Sequence, residues 1–151
     1  MKKLILLPFL LVACGAELSN GEITSSEVKS VYWSDGDSGR ISLKSGDVIK
    51  FRIDDWDAPE TGGVGAAIGG AKCEAEREQG FLAKEFMVEN TKYITRWEHS
   101  NEYDRYERLL AKPFINDDEL AERASESDFL RSWKHDGRKA LEARPKWCEE
   151  N

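Results

Sequence analysis

Hydrophobic and polar positions alternate most cleanly over residues 48–53. Ile49, Phe51 and Ile53 fall on one face, with Val48, Lys50 and Arg52 on the other. A period of two marks a half-buried strand, so one face is core and the other presents two cations. Residues 28–33 form a β-rich run that ends in Ser34-Asp35-Gly36-Asp37, which is turn chemistry. Ile41 and Leu43 alternate with polar residues before a second turn at Ser45-Gly46-Asp47. Asp57-Ala58-Pro59-Glu60-Thr61 ends the clear strand, because proline cannot continue a ladder. The Gly/Ala-rich stretch 62–70 predicts a mobile loop.

From 73 to 90 the period becomes helical: Ala75, Leu82, Ala83 and Phe86 make a stripe opposite Glu74, Arg77, Glu78 and Lys84. Alternation returns at Tyr93, Thr95 and Trp97. A polar turn over 101–105 and a strand over 109–115 follow. Residues 117–130 and 137–143 predict short helices. The order is three strands, a helix, two strands, then helices. It predicts an α+β fold, a five-stranded OB-type Greek-key β-barrel with accompanying helices. Trp33, Trp97 and Trp133 are expected in the core, and His99 and His135 at the surface.

The N-terminus has a different pattern. Residues 1–13 read MKKLILLPFLLVA, two lysines before an apolar run. That is a charged n-region and a short h-region, too short for a mature membrane-spanning helix. The run ends in Leu11-Val12-Ala13-Cys14, which resembles a bacterial lipobox. The resemblance implies a lipoprotein signal peptide over 1–13, lipidation of Cys14, and a protein exported and lipid-anchored at the bacterial cell envelope, periplasmic or outer-membrane associated. Small polar residues then predict a flexible tether through residue 26, with the folded domain over 27–151. In an oxidising compartment paired cysteines usually bridge, so Cys73 and Cys148 are expected to form a disulfide. CxxC and Cys/His zinc spacings are absent.

Composition narrows the function further. The 151-residue chain suits one domain plus a targeting segment. Its formal charge is -7; removing Lys2 and Lys3 leaves 20 basic residues against 29 acidic, or -9. Such a balance argues against non-specific phosphate binding through overall charge. Yet the turns and strands carry phosphoryl chemistry. A phosphodiester is anionic and repels an attacking water. A hard cation held by Asp37 and Asp57 would relieve that charge. Arginine forks match non-bridging phosphate oxygens, and Arg52 lies on the polar face just before Asp57 and Glu60. Glu60 can take a proton from water. Tyr103 and Tyr106 flank Arg108 and are candidate nucleotide contacts.

In order and spacing, DGD, FRI..WDAPET, CEAEREQG, DRYERLLA and a terminal Trp-Cys are together similar to the staphylococcal nuclease-like, or thermonuclease, family over roughly residues 27–148. The resemblance implies an OB barrel and calcium-dependent hydrolysis of DNA and RNA phosphodiesters, with 3′-phosphate products. It implies Asp37, Asp57 and the Ala58 backbone carbonyl as calcium ligands. Glu60 becomes the general base, and Arg52 and Arg108 stabilise the transition state. Glu107 departs from the pattern, standing where the family motif has glycine. A positive φ there would strain a glutamate and shift Arg108. The expected protein is a monomeric, sugar-non-specific nuclease with DNA or RNA as substrate. The alternative is a non-catalytic OB-fold module that binds nucleic acid or a protein partner at the envelope.

Overall fold

Residue alternation builds most of the structure. The computed structural model describes residues 21–136 and 139–148. The expected signal peptide, the lipidation at Cys14 and the first part of the tether lie outside the described residues.

The strands are β1 (Glu22–Thr24), β2 (Val28–Trp33), β3 (Ser38–Leu43), β4 (Val48–Ile53) and β5 (Trp56–Asp57). Helix α1 (Glu74–Asn90) and a single 3₁₀ turn follow, then β6 (Arg96–Tyr103), β7 (Leu109–Ile115) and β8 (Asp118–Glu119). After them come helix α2 (Leu120–Ser125) and three short strands, β9 (Arg131–Ser132), β10 (His135–Asp136) and β11 (Lys139–Ala140). The class is α+β. The main sheet is mixed and runs β1-β6-β7-β4-β3-β2, with β8 pairing β7. Among the described strands no pairing joins β1 to β2, so the sheet is not closed into a barrel.

In β4, Phe51 and Ile53 are buried while Lys50 is exposed, as the period-two pattern predicts. Phe51 packs between Trp33 and Trp97, with ring centroids 5.0 and 4.7 Å away. Trp33 and Trp97 are core residues, as expected. Trp133 is a correction: it is half-buried and lines a surface cleft.

The tether expectation needs a second correction. Residues 22–24 form an edge strand paired antiparallel with β6, Ile23 opposite Trp97. Ile23 is buried in the core, so this one apolar residue turns a polar segment into a strand.

The helix expected over 117–130 is limited to α2. Asp128 takes a left-handed φ of 54°, and Phe129 N donates to Ala124 O, a six-to-one bond that terminates a helix. Where a helix was expected over 137–143, β10 and β11 pair antiparallel instead. The loop 62–70 is closed on itself, Gly62 N donating to Gly69 O and Ala71 N to Gly62 O.

Cys73 and Cys148 are disulfide-bonded across 75 positions. A closed loop of that length is worth about 4 kcal/mol in the chain-entropy account. No helix among the described residues is long and apolar enough to cross a membrane.

Candidate active site

Register brings three distant segments to one end of β4. Ser38 pairs with Arg52, which places the preceding Asp37 beside the Arg52 side chain. β7 runs parallel to β4, with Leu109 opposite Phe51, so Arg108 enters at the same end. Directly after β4 the chain turns through Asp55, at φ 63°, into Trp56-Asp57-Ala58-Pro59-Glu60. A cleft of about 740 Å³ opens there, lined by Asp37, Arg52, Asp57, Glu60, Tyr106 and Arg108 among others.

The turn that carries Asp37 is fixed by Asp35. Its Oδ1 accepts from Asp37 N at 3.1 Å and Ser38 N at 2.7 Å, and the Ser38 hydroxyl donates to it at 2.9 Å. Burial first, and then the charge of Asp37, push the Asp35 carboxyl up to about 8. Gly36 is needed for packing: a Cβ there would meet the Ala58 Cβ at 2.9 Å and the Ala83 Cβ at 3.0 Å.

Arg52 is the hub. Its Nη1 is 3.1 Å from Asp37 Oδ2, and its Nη2 is 3.5 Å from Asp57 Oδ1 and donates to Trp56 O at 3.0 Å. Burial alone would lower its pKa; Asp37, Asp57 and Asp35 outweigh that and raise it. Asp37 is itself held by Ala58 N, which donates to its Oδ2 at 3.1 Å. Asp57 is fully buried. Burial and then Asp37 push its carboxyl above the usual range, against the pull of Trp147 and Arg144.

Arg144 is the residue that sequence reasoning missed. Its Nε donates to both Asp57 oxygens, at 2.9 and 3.1 Å. Its Nη2 donates to Glu60 Oε1 at 2.8 Å and to Ala58 O at 3.4 Å. Burial works against this cation, but Asp57 and Glu60 raise its pKa on balance. Trp147 Nε1 adds a bond to Asp57 Oδ2 at 2.8 Å. The signal available in the sequence was the Trp147-Cys148 pair: a bridge from Cys148 to the start of α1 draws the chain end toward the cleft.

Glu60 is anchored from behind. Gly80 of α1 lies against it, where a Cβ would meet Glu60 O at 2.6 Å. Glu76, almost wholly buried, accepts from Glu60 N at 3.4 Å and Lys72 N at 2.6 Å, fixing both ends of the loop between them. Nothing in the helical period of 73–90 sets Glu76 apart from its neighbours Glu74 and Glu78.

Arg108 points into the same cleft, tied to Asp104 by Nε at 2.7 Å and Nη2 at 2.6 Å. Glu107 does have a positive φ, 60°. Even so, Arg108 N bonds Asp104 Oδ1 at 3.0 Å, and the turn keeps the arginine in the cleft. Tyr106 lines the cleft, with the Arg108 guanidinium 5.4 Å from its ring centroid. Tyr103 is exposed on β6 and is not among the lining residues. Trp133 is, with Arg52 5.5 Å and Arg144 5.8 Å from its ring centroid. His135, expected at the surface, is half-buried and packs edge-on against Trp133 at 4.5 Å.

The donors suit a hard cation in kind: the Asp37 and Asp57 carboxylates with the Ala58 carbonyl. Among the described residues no group of three or more His, Cys, Asp or Glu side chains is placed to hold a metal ion. A divalent ion here would rest on those two carboxylates and the carbonyl, and Arg144 already holds both Asp57 oxygens.

No protein-family model matches this chain, and a search of curated proteins finds no match either.

Proposed function

We propose that this chain is a calcium-dependent, sugar-non-specific nuclease with the OB-type architecture of the staphylococcal nuclease-like family, lipid-anchored at the bacterial envelope. The observation that carries the reading is one cleft holding Arg52 between Asp37 and Asp57, with Glu60 and Arg108 on its walls. Calcium, held by Asp37, Asp57 and the Ala58 carbonyl, would neutralise phosphate charge.

The chain's own residues carry the rest. Arg52 and Arg108 offer N–H donors to the non-bridging oxygens of a phosphodiester, strongest as charge builds in the five-coordinate transition state. Glu60 takes a proton from water, and the resulting hydroxide attacks phosphorus in line. The bond from phosphorus to the 5′-oxygen breaks. The 5′-oxygen takes a proton from solvent, leaving a 3′-phosphate. Tyr106 and Trp133 present ring faces on which bases can stack without regard to sequence. Affinity comes from these local arginines and the bound cation, which is how a processed chain of charge -9 could take a polyanion.

The test is incubation of the purified chain with end-labelled DNA and RNA in calcium, with and without EGTA. Cleavage of both polymers to 3′-phosphate ends, abolished by EGTA, is expected. Nucleic acid left intact by the folded, disulfide-bonded protein would favour the non-catalytic binding module. The bond from Arg144 to Glu60 is the observation on that side, since it engages the base.

A further inference from the structure

The C-terminal segment 141–148 contains no helix or strand, yet contacts along its length hold it over the cleft. Leu141 N donates to Lys134 O, Trp133 Nε1 to Glu142 O at 3.1 Å, and Lys134 N to Glu142 Oε1 at 3.0 Å. Arg131 Nη1 donates to Lys146 O, and the Arg131 guanidinium lies 4.1 Å from the Trp147 ring centroid. The disulfide closes the segment onto Cys73, the N-cap of α1. Between these anchors Arg144 reaches inward to Asp57 and Glu60.

We infer that Arg144 is an internal cation that competes with a divalent metal for Asp57 while it holds Glu60, and that segment 141–148 is the strap that sets the strength of that competition. The inference rests on the nuclease reading for its purpose. Its physical basis is the occupancy of Asp57. That carboxylate is fully buried and receives N–H groups from Arg144 and Trp147, with Arg52 close by. Calcium needs carboxylate oxygens at about 2.3–2.6 Å. A guanidinium nitrogen 2.9 Å from the same oxygen repels an ion there, and burial of Asp57 strengthens that repulsion. Calcium and Arg144 therefore exclude each other at Asp57. When calcium enters, Arg144 swings out and frees Glu60 from its hydrogen bond. One displacement thus loads the metal and uncovers the base.

The inference is tested by isothermal titration of calcium alone into the full chain, the Arg144→Gln variant and a Cys73→Ala/Cys148→Ala double variant. Circular dichroism confirms that each is folded. Arg144→Gln should bind calcium about tenfold tighter, equivalent to about 1.4 kcal/mol, because the competing cation is gone. The double variant should shift the same way by a smaller factor, because it loosens the strap without altering any carboxylate or Arg144. Added guanidinium ion should weaken calcium binding to Arg144→Gln and leave wild type nearly unchanged, a response that a purely structural role for Arg144 would not give. Calcium affinity unchanged or reduced in folded Arg144→Gln overturns the inference. If that chain still cleaves nucleic acid only with calcium, the nuclease reading survives it. Absence of calcium binding in every variant overturns the inference together with the calcium part of that reading.

Discussion

Glu107 and Asp104 show how single residues set the geometry of Arg108. At φ 60°, Glu107 occupies a backbone region that glycine enters without steric cost. Glu107→Gly should raise unfolding stability by about 1 kcal/mol, less the extra entropy glycine gives the unfolded chain. Urea denaturation measures it, and a stability loss would mean that Glu107 makes a compensating contact. Asp104 has the opposite character. Burial alone would raise its pKa, but the Arg108 backbone N–H, guanidinium bonds and charge together hold it below the ordinary 3.8. An acid whose pKa is lowered by folding contributes stability above its unfolded value and loses it as pH falls through the folded value. Asp104→Asn should therefore destabilise the chain at pH 7, with a penalty that shrinks as pH drops below about 4. Urea midpoints across that range check this, and a penalty independent of pH would contradict it.

At the scale of elements, α1 and the proline loop form one unit. Glycine in a helix interior ordinarily costs about 0.5–1 kcal/mol relative to alanine, so Gly80→Ala would stabilise a free helix. Here a Cβ would lie 2.6 Å from Glu60 O and 2.8 Å from Pro59 O, both backbone atoms. Overpacking of this kind costs about 1–3 kcal/mol and outweighs the propensity gain. Gly80→Ala should lower the melting temperature, and should lower kcat more than KM because Glu60 moves. A rise in melting temperature would show that the loop yields freely.

The same scale explains what was legible in the sequence. β4 was legible because Ile49, Phe51 and Ile53 share one face, and that alternation also exposed Arg52. The turn 34–37 was legible from its Asp and Gly. The 137–143 region was not, because Arg138-Lys139-Ala140-Leu141-Glu142-Ala143 has helical composition while Leu141 is 62% exposed, with no core face to bury it. β1 was not legible because Ile23 is the only apolar residue among the three that pair with β6. Arg144 was invisible because its partners Asp57 and Glu60 lie 87 and 84 positions away and no local period marks it. Tyr103 and Tyr106 read alike in sequence. Only the register of β6 and β7 separates them, leaving one on the strand and one at the cleft.

For the whole molecule, the disulfide and the mixed sheet serve one end. β3, β4 and β7 bring Asp37, Arg52 and Arg108 together, and the bridge between Cys73 and Cys148 brings the chain terminus over them. On the proposed nuclease reading, the acidic balance disfavours nucleic acid elsewhere on the surface and leaves the arginine-lined cleft as the place where it would bind and be cut. Everything proposed for the cleft turns on Glu60 acting there as the base. The most direct measurement is the rate of DNA and RNA cleavage in calcium by wild type beside Glu60→Gln, each checked for folding and for protection of substrate in a binding assay. The account predicts that Glu60→Gln binds nucleic acid as wild type does but cleaves it about 10²–10⁴-fold more slowly, the range expected when a general base is removed. Equal rates in the two proteins, or no cleavage by either, would contradict it.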